Sequence, residues 1–338
     1  MKAVVITEPD RIEIREMKRP VPQPGEALLK VLYGGICGAD LASYQGNQPF
    51  TTYPRIPGHE FSAEIVMIDE ENEKGLKTGD LVTCNPYYNC GTCYSCRHGF
   101  VNCCEDNQTM GVQRDGAFCE YITVPLKRMI PGRGLDARTL ALIEPFAIGY
   151  HAVKRSHMQT GDKVFIAGAG PIGLFAMLAA KRQGTAVYLS DVLDGRLEMA
   201  RALGADGTIN PARQDLAAWK DEITGGNGFD ICMEACGLPD TFLTCIEMAA
   251  FATDLVLIGN GKKETTFLHS VLLKKELNVY GSRNAYSRDF EELIDLVLAG
   301  DIDIKKMISC EYPLSEVQEA FKELDRNNGE LMKVLVKL

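Results

Sequence analysis

The sequence predicts an α/β fold in two parts, a β-rich N-terminal portion followed by a doubly wound parallel sheet. Three observations predict it: short β-type runs broken by Gly and Pro fill residues 1–148, strand and helix patterns alternate from Lys163 onward, and a glycine-rich turn marks the first strand-to-helix junction of that alternation. With 338 residues, 46% of them hydrophobic, the chain is long enough to bury a core in each of two domains. The texture sets domain boundaries of 1–148, 149–282 and 283–338, the last a segment that returns to complete the first domain.

The β-type runs of the first part are residues 28–33, 63–68, 80–84 and 118–124, with turns at Pro24-Gly25, Thr78-Gly79-Asp80 and Asp115-Gly116. In the second part, strands at 163–167, 186–191, 229–235 and 254–259 alternate with helices from Pro171, after Asp194 and from Pro239. Ile172, Phe175, Ala176, Ala179 and Ala180 recur at helical spacing and give the first helix one apolar face to lay on a sheet. After Gly281 come two helical stretches, 288–300 and 315–324, and a closing strand at 332–338.

Charge narrows the function classes. Lys and Arg number 36 against 46 Asp and Glu, a formal charge of -10, and basic clusters are no longer than Lys262-Lys263 and Lys274-Lys275, which argues against a nucleic-acid partner. The N-terminus has no pattern of a cleaved leader and no apolar run reaches membrane-spanning length, so the expectation is a cytoplasmic protein without a membrane partner.

Gly168-Ala169-Gly170-Pro171-Ile172-Gly173 follows a strand and opens a helix, the context in which G-x-G-x-x-G binds a dinucleotide. Gly168 permits the tight turn, Gly170 lets backbone approach a pyrophosphate, and Gly173 allows close helix-to-strand packing, while the helix N-terminus presents N–H groups to the phosphates. Asp191, ending the next strand, is placed to accept from the adenosine ribose hydroxyls, and its charge favours NAD over NADP.

Twelve cysteines are present, five of them crowded between residues 90 and 104. Cys90, Cys93, Cys96 and Cys104 form C-x2-C-x2-C-x7-C, a spacing that lets four thiolates converge on one zinc and leaves no open coordination position, so this ion braces a loop. By spacing alone Cys103 could replace Cys104, an iron–sulfur cluster is a rival occupant, and a redox disulfide pair is a third reading. Cys84, Cys103, Cys119, Cys232, Cys236, Cys245 and Cys310 read as reduced core residues.

A β-rich first domain with this quartet, followed by Gly-Ala-Gly-Pro-Ile-Gly, resembles the medium-chain zinc alcohol dehydrogenase superfamily over the whole length. Gly-His-Glu at His59 and Glu60, with Ile-Glu-Pro at Glu144, resembles its sorbitol dehydrogenase branch. The resemblance implies a GroES-like catalytic domain joined to a Rossmann domain, NAD as cofactor, and two Zn2+ per chain. It implies that Cys37, His59, Glu60 and Glu144 surround a catalytic zinc, with Asp40 hydrogen-bonded to the far nitrogen of His59. It also implies that Arg196 and the Ile258, Gly259 and Asn260 loop contact the adenosine and nicotinamide ends of the cofactor. Relatives commonly form homodimers or homotetramers.

The stretches 46–55, 144–148, 274–285 and 327–333 further resemble bacterial sugar-acid 5-dehydrogenases acting on L-gulonate or L-galactonate. That resemblance implies oxidation of L-gulonate to D-fructuronate, with L-galactonate, a polyol or a sugar-alcohol phosphate as alternatives, and a non-catalytic nucleotide sensor as the alternative outside enzymes. A zinc with an open position acts as a Lewis acid toward the substrate oxygen. Two carboxylates around it suggest that one releases as substrate enters. The hydroxyl relay usual in the family is missing, since Ala39 and Ala42 stand at its positions. Ser43, Tyr44, a water chain or the substrate's neighbouring hydroxyl then carries the proton. Arg283 is the expected partner of a substrate carboxylate, and Asn47, Gln48 and Asn284 of sugar hydroxyls.

Overall fold

The computed structural model describes residues 1–69, 71–300, 302–327 and 329–338; Asn328, within the stretch 327–333, lies outside them. The described chain forms two units. One contains Met1–Glu144, Asn284–Asn327 and Leu331–Leu338, the other Pro145–Arg283 and residues 329–330.

The first unit is organised around the strand Glu26–Gly35. It pairs antiparallel with Glu60–Met67 on one side, and on the other with Tyr121–Pro125 along its first half and Lys333–Lys337 along its last residues. Leu81–Cys84 and Met129–Pro131 extend the sheet beyond Glu60–Met67, and Ile308–Pro313 adds a parallel edge to Lys333–Lys337. The two-residue period of a strand decides what is buried: Ala27, Leu29 and Val31 share one apolar cluster with Phe61, Ala63 and Ile65 of the neighbouring strand. Each large member contributes about 1.5–3 kcal/mol by leaving water. A second cluster joins Val4, Ile6, Phe118, Phe321, Val334 and Val336. Gly34 makes room for it, because a Cβ there would strike the Phe118 ring.

The second unit is an all-parallel, six-stranded sheet in the order Gly207–Ile209, Ala186–Ser190, Lys163–Ala167, Phe229–Glu234, Ala249–Leu257, Asn278–Gly281. In chain order this is 3-2-1-4-5-6, a Rossmann sheet with its switch point beside the first strand. The helices Pro171–Arg182, Asp194–Ala202 and Pro239–Met248 start where the sequence places them.

The sequence pattern missed several elements. Gly207–Ile209 has three residues, too few to show a period, and Asn278–Gly281 is an exposed edge strand without an apolar run. The strand expected at 254–259 spans Ala249–Leu257, its first half interrupted by a register shift and by Ala252 at φ 58°. No helix among the described residues is long and apolar enough to cross a membrane.

Candidate active site

Three side chains that are far apart in sequence meet in the first unit. Cys37 precedes the helix Gly38–Tyr44, and His59 and Glu60 lie where the chain enters the strand Glu60–Met67. One donor atom from each lies within 4.8 Å of the others, with His59 and Glu60 buried. Strand pairing explains the convergence, since Gly35 lies opposite Glu60 and a Cβ at Gly35 would collide with the Glu60 carboxylate.

Asp40 is fully buried beneath this group and fixes the backbone around it. Its carboxylate accepts from the N–H of Cys37 at 3.0 Å and of Gly58 at 2.9 Å. The hydrogen bond expected from Asp40 to His59 is not formed. Oδ1 stands 3.9 Å from His59 Nδ1, beyond hydrogen-bond reach, and that nitrogen is buried without a hydrogen-bond partner, while the two carboxylate oxygens each accept from a main-chain N–H. Asp40 therefore acts on His59 through charge and through the loop it anchors.

Glu144, at the start of the helix Ile143–Arg155, is also buried, but it is not part of the tight three-residue group. The Tyr87 hydroxyl donates to its Oε1. Glu60 is likewise engaged, by an ion pair with Lys333, which is 3% exposed and donates also to the Ile36 carbonyl at 3.3 Å. Each expected carboxylate ligand thus has a partner of its own.

The electrostatics follow from burial among acids. Burial raises the Cys37 thiol, and burial together with Glu60 pushes Glu144 up to about 7 against the opposing pull of His59, Tyr87 and Lys333. Burial works against a charged His59, yet Cys37, Asp40 and Glu144 outweigh it and raise the imidazole well above its ordinary value. This is the signature of a cation site: a thiol, an imidazole and a carboxylate in one buried pocket whose field favours positive charge. The donor set fits a zinc held by Cys37, His59 and Glu60, with Glu144 beside it.

The structure does not bring the expected proton carriers to this group. Tyr44 packs its ring against Phe321, 5.6 Å between centroids, within the apolar core, and the charges nearest its hydroxyl are Asp10, Asp325 and Arg326. Ser43 bonds Thr51 at 2.8 Å and the Ala39 carbonyl at 3.0 Å. These contacts engage both side chains away from the Cys37 group. Asn284 directs its amide to the Asn102 carbonyl at 3.1 Å. Asn47 and Gln48 donate their backbone N–H groups to the Ala42 carbonyl in the turn after the helix.

The four-cysteine group forms as the spacing predicts. Cys90, Cys93, Cys96 and Cys104 present sulfurs mutually within 4.8 Å, and Cys103 is exposed and outside the group. The N–H groups of Thr92 and Cys93 point at Cys90 Sγ, at 3.4 and 3.3 Å, and lower that thiol to about 6. All twelve cysteines are free. Cys84, Cys119, Cys232 and Cys245 are buried as expected, whereas Cys103 and Cys236 are exposed.

In the second unit, Gly168 has φ +103°, a conformation that favours glycine, and a Cβ at Gly173 would collide with the Gly168 carbonyl. At Gly170 an added Cβ would meet only the Arg196 guanidinium, at 3.7 Å, leaving the helix N-terminus open. Gly168, Gly170, Pro171, Ile172, Asp191 and Arg196 line one cavity of about 440 Å³. Asp191 accepts from Ala169 and Leu193 N–H and stands 3.4 Å from Arg196. Ile258 and Gly259 hang from the Glu234 carbonyl, and Gly259 lines an adjoining cavity of about 190 Å³ that shares Leu238 with the first. Arg283 closes the second unit.

Sequence reasoning missed Tyr87, Glu234 and Lys333. Buried Glu234 orders the loop after its own strand by accepting from Cys236 and Gly237 N–H and the Thr241 hydroxyl. Only Lys333 carried a signal, a lysine set directly against the apolar run 334–336 of the closing strand.

Residues 171–299 match the family described as zinc-binding dehydrogenase, and residues 23–133 the alcohol dehydrogenase GroES-like domain. L-galactonate-5-dehydrogenase of Escherichia coli strain K12 is 35% identical over 336 residues, 99% of this chain and 98% of its own. The sorbitol dehydrogenase of Halalkalibacterium halodurans is 32% identical over 344 residues, 99% of each chain. Among solved structures, the alcohol dehydrogenase RspB from Escherichia coli CFT073, complexed with NADH, matches with a TM-score of 0.93 at 30% identity, covering 100% of this chain and 99% of that one. With both halves of the architecture matched and relatives aligned along nearly their full length, the chain belongs to the medium-chain zinc alcohol dehydrogenases.

Proposed function

We propose that the protein oxidises the C5 carbinol of a six-carbon sugar acid with NAD, L-gulonate to D-fructuronate being the first reaction to test. The grouping of Cys37, His59 and Glu60 carries the reading, because a buried thiol, imidazole and carboxylate suit a catalytic zinc and would be costly to bury for structure alone. When bound, that zinc supplies Lewis acidity toward the substrate hydroxyl and the nicotinamide accepts a hydride. Asp40 holds the Cys37 and Gly58 backbone in place, Lys333 offsets the charge of Glu60, and Tyr87 holds Glu144 aside. With Ser43 and Tyr44 engaged elsewhere, the proton leaves through water or through the substrate's neighbouring hydroxyl. The four-cysteine site takes a second zinc with a bracing role.

Asp191 at the cofactor cavity supports NAD over NADP, with Arg196 and residues 258–260 as further cofactor contacts. Arg283 is the candidate partner for the substrate carboxylate. L-Galactonate is the second reading, favoured by the 35% identical relative, and the 32% identical sorbitol dehydrogenase keeps polyols in the panel. The complete donor set argues against a non-catalytic sensor. The open edge strand Asn278–Gly281, with Leu268, Leu273 and Val279 exposed nearby in sequence, supports association of two copies. Twelve free thiols suit a reducing cytoplasm.

The test is NADH formation by zinc-loaded protein across L-gulonate, L-galactonate, sorbitol and a sugar-alcohol phosphate. Preference for a hexonate supports the reading, and a higher kcat/KM for an uncharged polyol overturns it. Arg283→Ala should raise KM for the acid and not for sorbitol; an equal rise for both removes the carboxylate role.

A further inference from the structure

Beside the four-cysteine lobe, the first unit contains a polar cavity of about 240 Å³ whose lining includes Arg128, Lys127, Asn89, Asn102, Ser287 and the main chain around Tyr87. Arg128 is 7% exposed, yet among the described residues it forms no ion pair. Its guanidinium donates to the Tyr87 carbonyl and to Asn89 Oδ1, lies 4.8 Å from the centre of the Tyr88 ring, and keeps a buried Nε–H with no hydrogen-bond partner. A guanidinium withdrawn from water without an anion is costly, and the Arg114 guanidinium, 3.7 Å from the same ring, adds like charge.

The rest of the lining adds further donors alongside the buried acceptor Asn102 Oδ1. Lys127 lines it with a second cation from an exposed position. Ser287 opens the helix Ser287–Leu298, whose first N–H groups carry the positive end of the helix dipole. The Ser287 hydroxyl accepts from Asn85 Nδ2 at 3.2 Å, which leaves its proton to donate. Among the described residues no carboxylate side chain lines the cavity, although Asp289, in the first turn of that helix, is buried and accepts from the Tyr286 N–H.

We propose that this cavity is an oxyanion site, centred on Arg128, for a small carboxylate or phosphate. The anion completes the coordination of a guanidinium that the protein leaves without a counter-charge, in a space that admits an ion of that size. Tyr87 links it to the active site, since its carbonyl accepts from Arg128 while its hydroxyl donates to Glu144. Occupancy is therefore felt at the loop that holds Glu144 in place.

The probe is inorganic phosphate, titrated calorimetrically into zinc-loaded protein at constant ionic strength. Saturable binding is expected, weakened about tenfold or more in Arg128→Gln, the loss of one charge-assisted hydrogen-bond set. Because Arg128 also supports its loop, Lys127→Glu is the second variant: an exposed position, where reversed charge should weaken phosphate by a similar factor. Lys306→Glu, which does not line the cavity, should leave binding unchanged. Absence of saturable binding to the wild type, or one affinity shared by wild type, Arg128→Gln and Lys127→Glu, overturns the proposal. Kinetics separate the two sources of anion, and this arm alone rests on the proposed substrate. Phosphate competing with the sugar acid but not with sorbitol identifies the substrate carboxylate as occupant, whereas phosphate that leaves both KM values unchanged identifies a free anion. Failure of the hexonate assay leaves the phosphate titration intact, so the two readings fail separately.

Discussion

Replacing Lys333 by Met tests the electrostatic design of the active site. Lys333 and Glu60 have side chains 4% and 1% exposed, so neither charge is relieved by water. Burial opposes the ammonium, but Glu60, Cys37 and Glu144 outweigh it and raise its pKa. A raised folded-state value means the stabilisation is fully present below the unfolded lysine pKa of about 10.4 and is lost only as pH rises through the folded value, so all of it operates at neutral pH. Removing one partner of a buried pair costs about 3–5 kcal/mol, because the other charge stays behind. In metal-free protein, Lys333→Met should therefore lower the opening free energy of the strands Glu26–Gly35 and Glu60–Met67, read by hydrogen exchange, by that amount. Trp219, the only tryptophan, lies in the second unit, and its unfolding transition should not move. In a Glu60→Gln background the same substitution should cost about 2 kcal/mol less, the coupling expected of side chains in contact. Equal losses in the two backgrounds would refute the pairing, and zinc should shrink the penalty by supplying the missing positive charge.

Three further outcomes follow from the same geometry. Tyr44→Phe should leave kcat and its pH profile unchanged, since the ring is core; a lowered rate without loss of stability would return the hydroxyl to the relay. Zinc affinity at the Cys37 group should rise between pH 6 and pH 8, because Cys37 and His59 both hold protons above their ordinary values and must release them to bind; a flat chelator competition across that range would contradict the electrostatics. Gly173→Ala places a methyl group against the Gly168 carbonyl, which should destabilise the second unit by about 1–3 kcal/mol and weaken NAD binding. The Trp219 transition measures the first effect and fluorescence titration with NADH the second, and an unchanged variant would show that the helix tolerates displacement.

Local pattern made half of the molecule legible. The run from Gly168 to Gly173 and the spacing from Cys90 to Cys104 each contain their geometry within a few residues, so turn, helix start and thiolate convergence could be read directly. Cys37, His59 and Glu60 come together only because the strands Glu26–Gly35 and Glu60–Met67 pair, and no local spacing encodes that register. Family resemblance supplied the grouping in advance. It also supplied an Asp40 to His59 hydrogen bond that this chain does not make: the Asp40 carboxylate, held by Cys37 and Gly58 N–H, stops 3.9 Å from the imidazole. Tyr87 and Lys333 escaped for the opposite reason: each reaches its carboxylate across long sequence separation, Lys333 from the closing strand 273 residues after Glu60. Tyr44 shows the hazard of proximity, because it follows Asp40 by about one helical turn yet packs its ring against Phe321 in the apolar core.

The most direct test of the account combines metal content with hydride transfer in one preparation. Wild-type protein should carry two zinc ions per chain and form NADH from a hexonate, while His59→Ala should retain one zinc, in the four-cysteine site, and lose at least about a thousandfold in turnover through loss of Lewis-acid stabilisation worth several kcal/mol. A His59→Ala protein that kept both its second zinc and its rate would contradict the assignment of Cys37, His59 and Glu60 as the catalytic metal group.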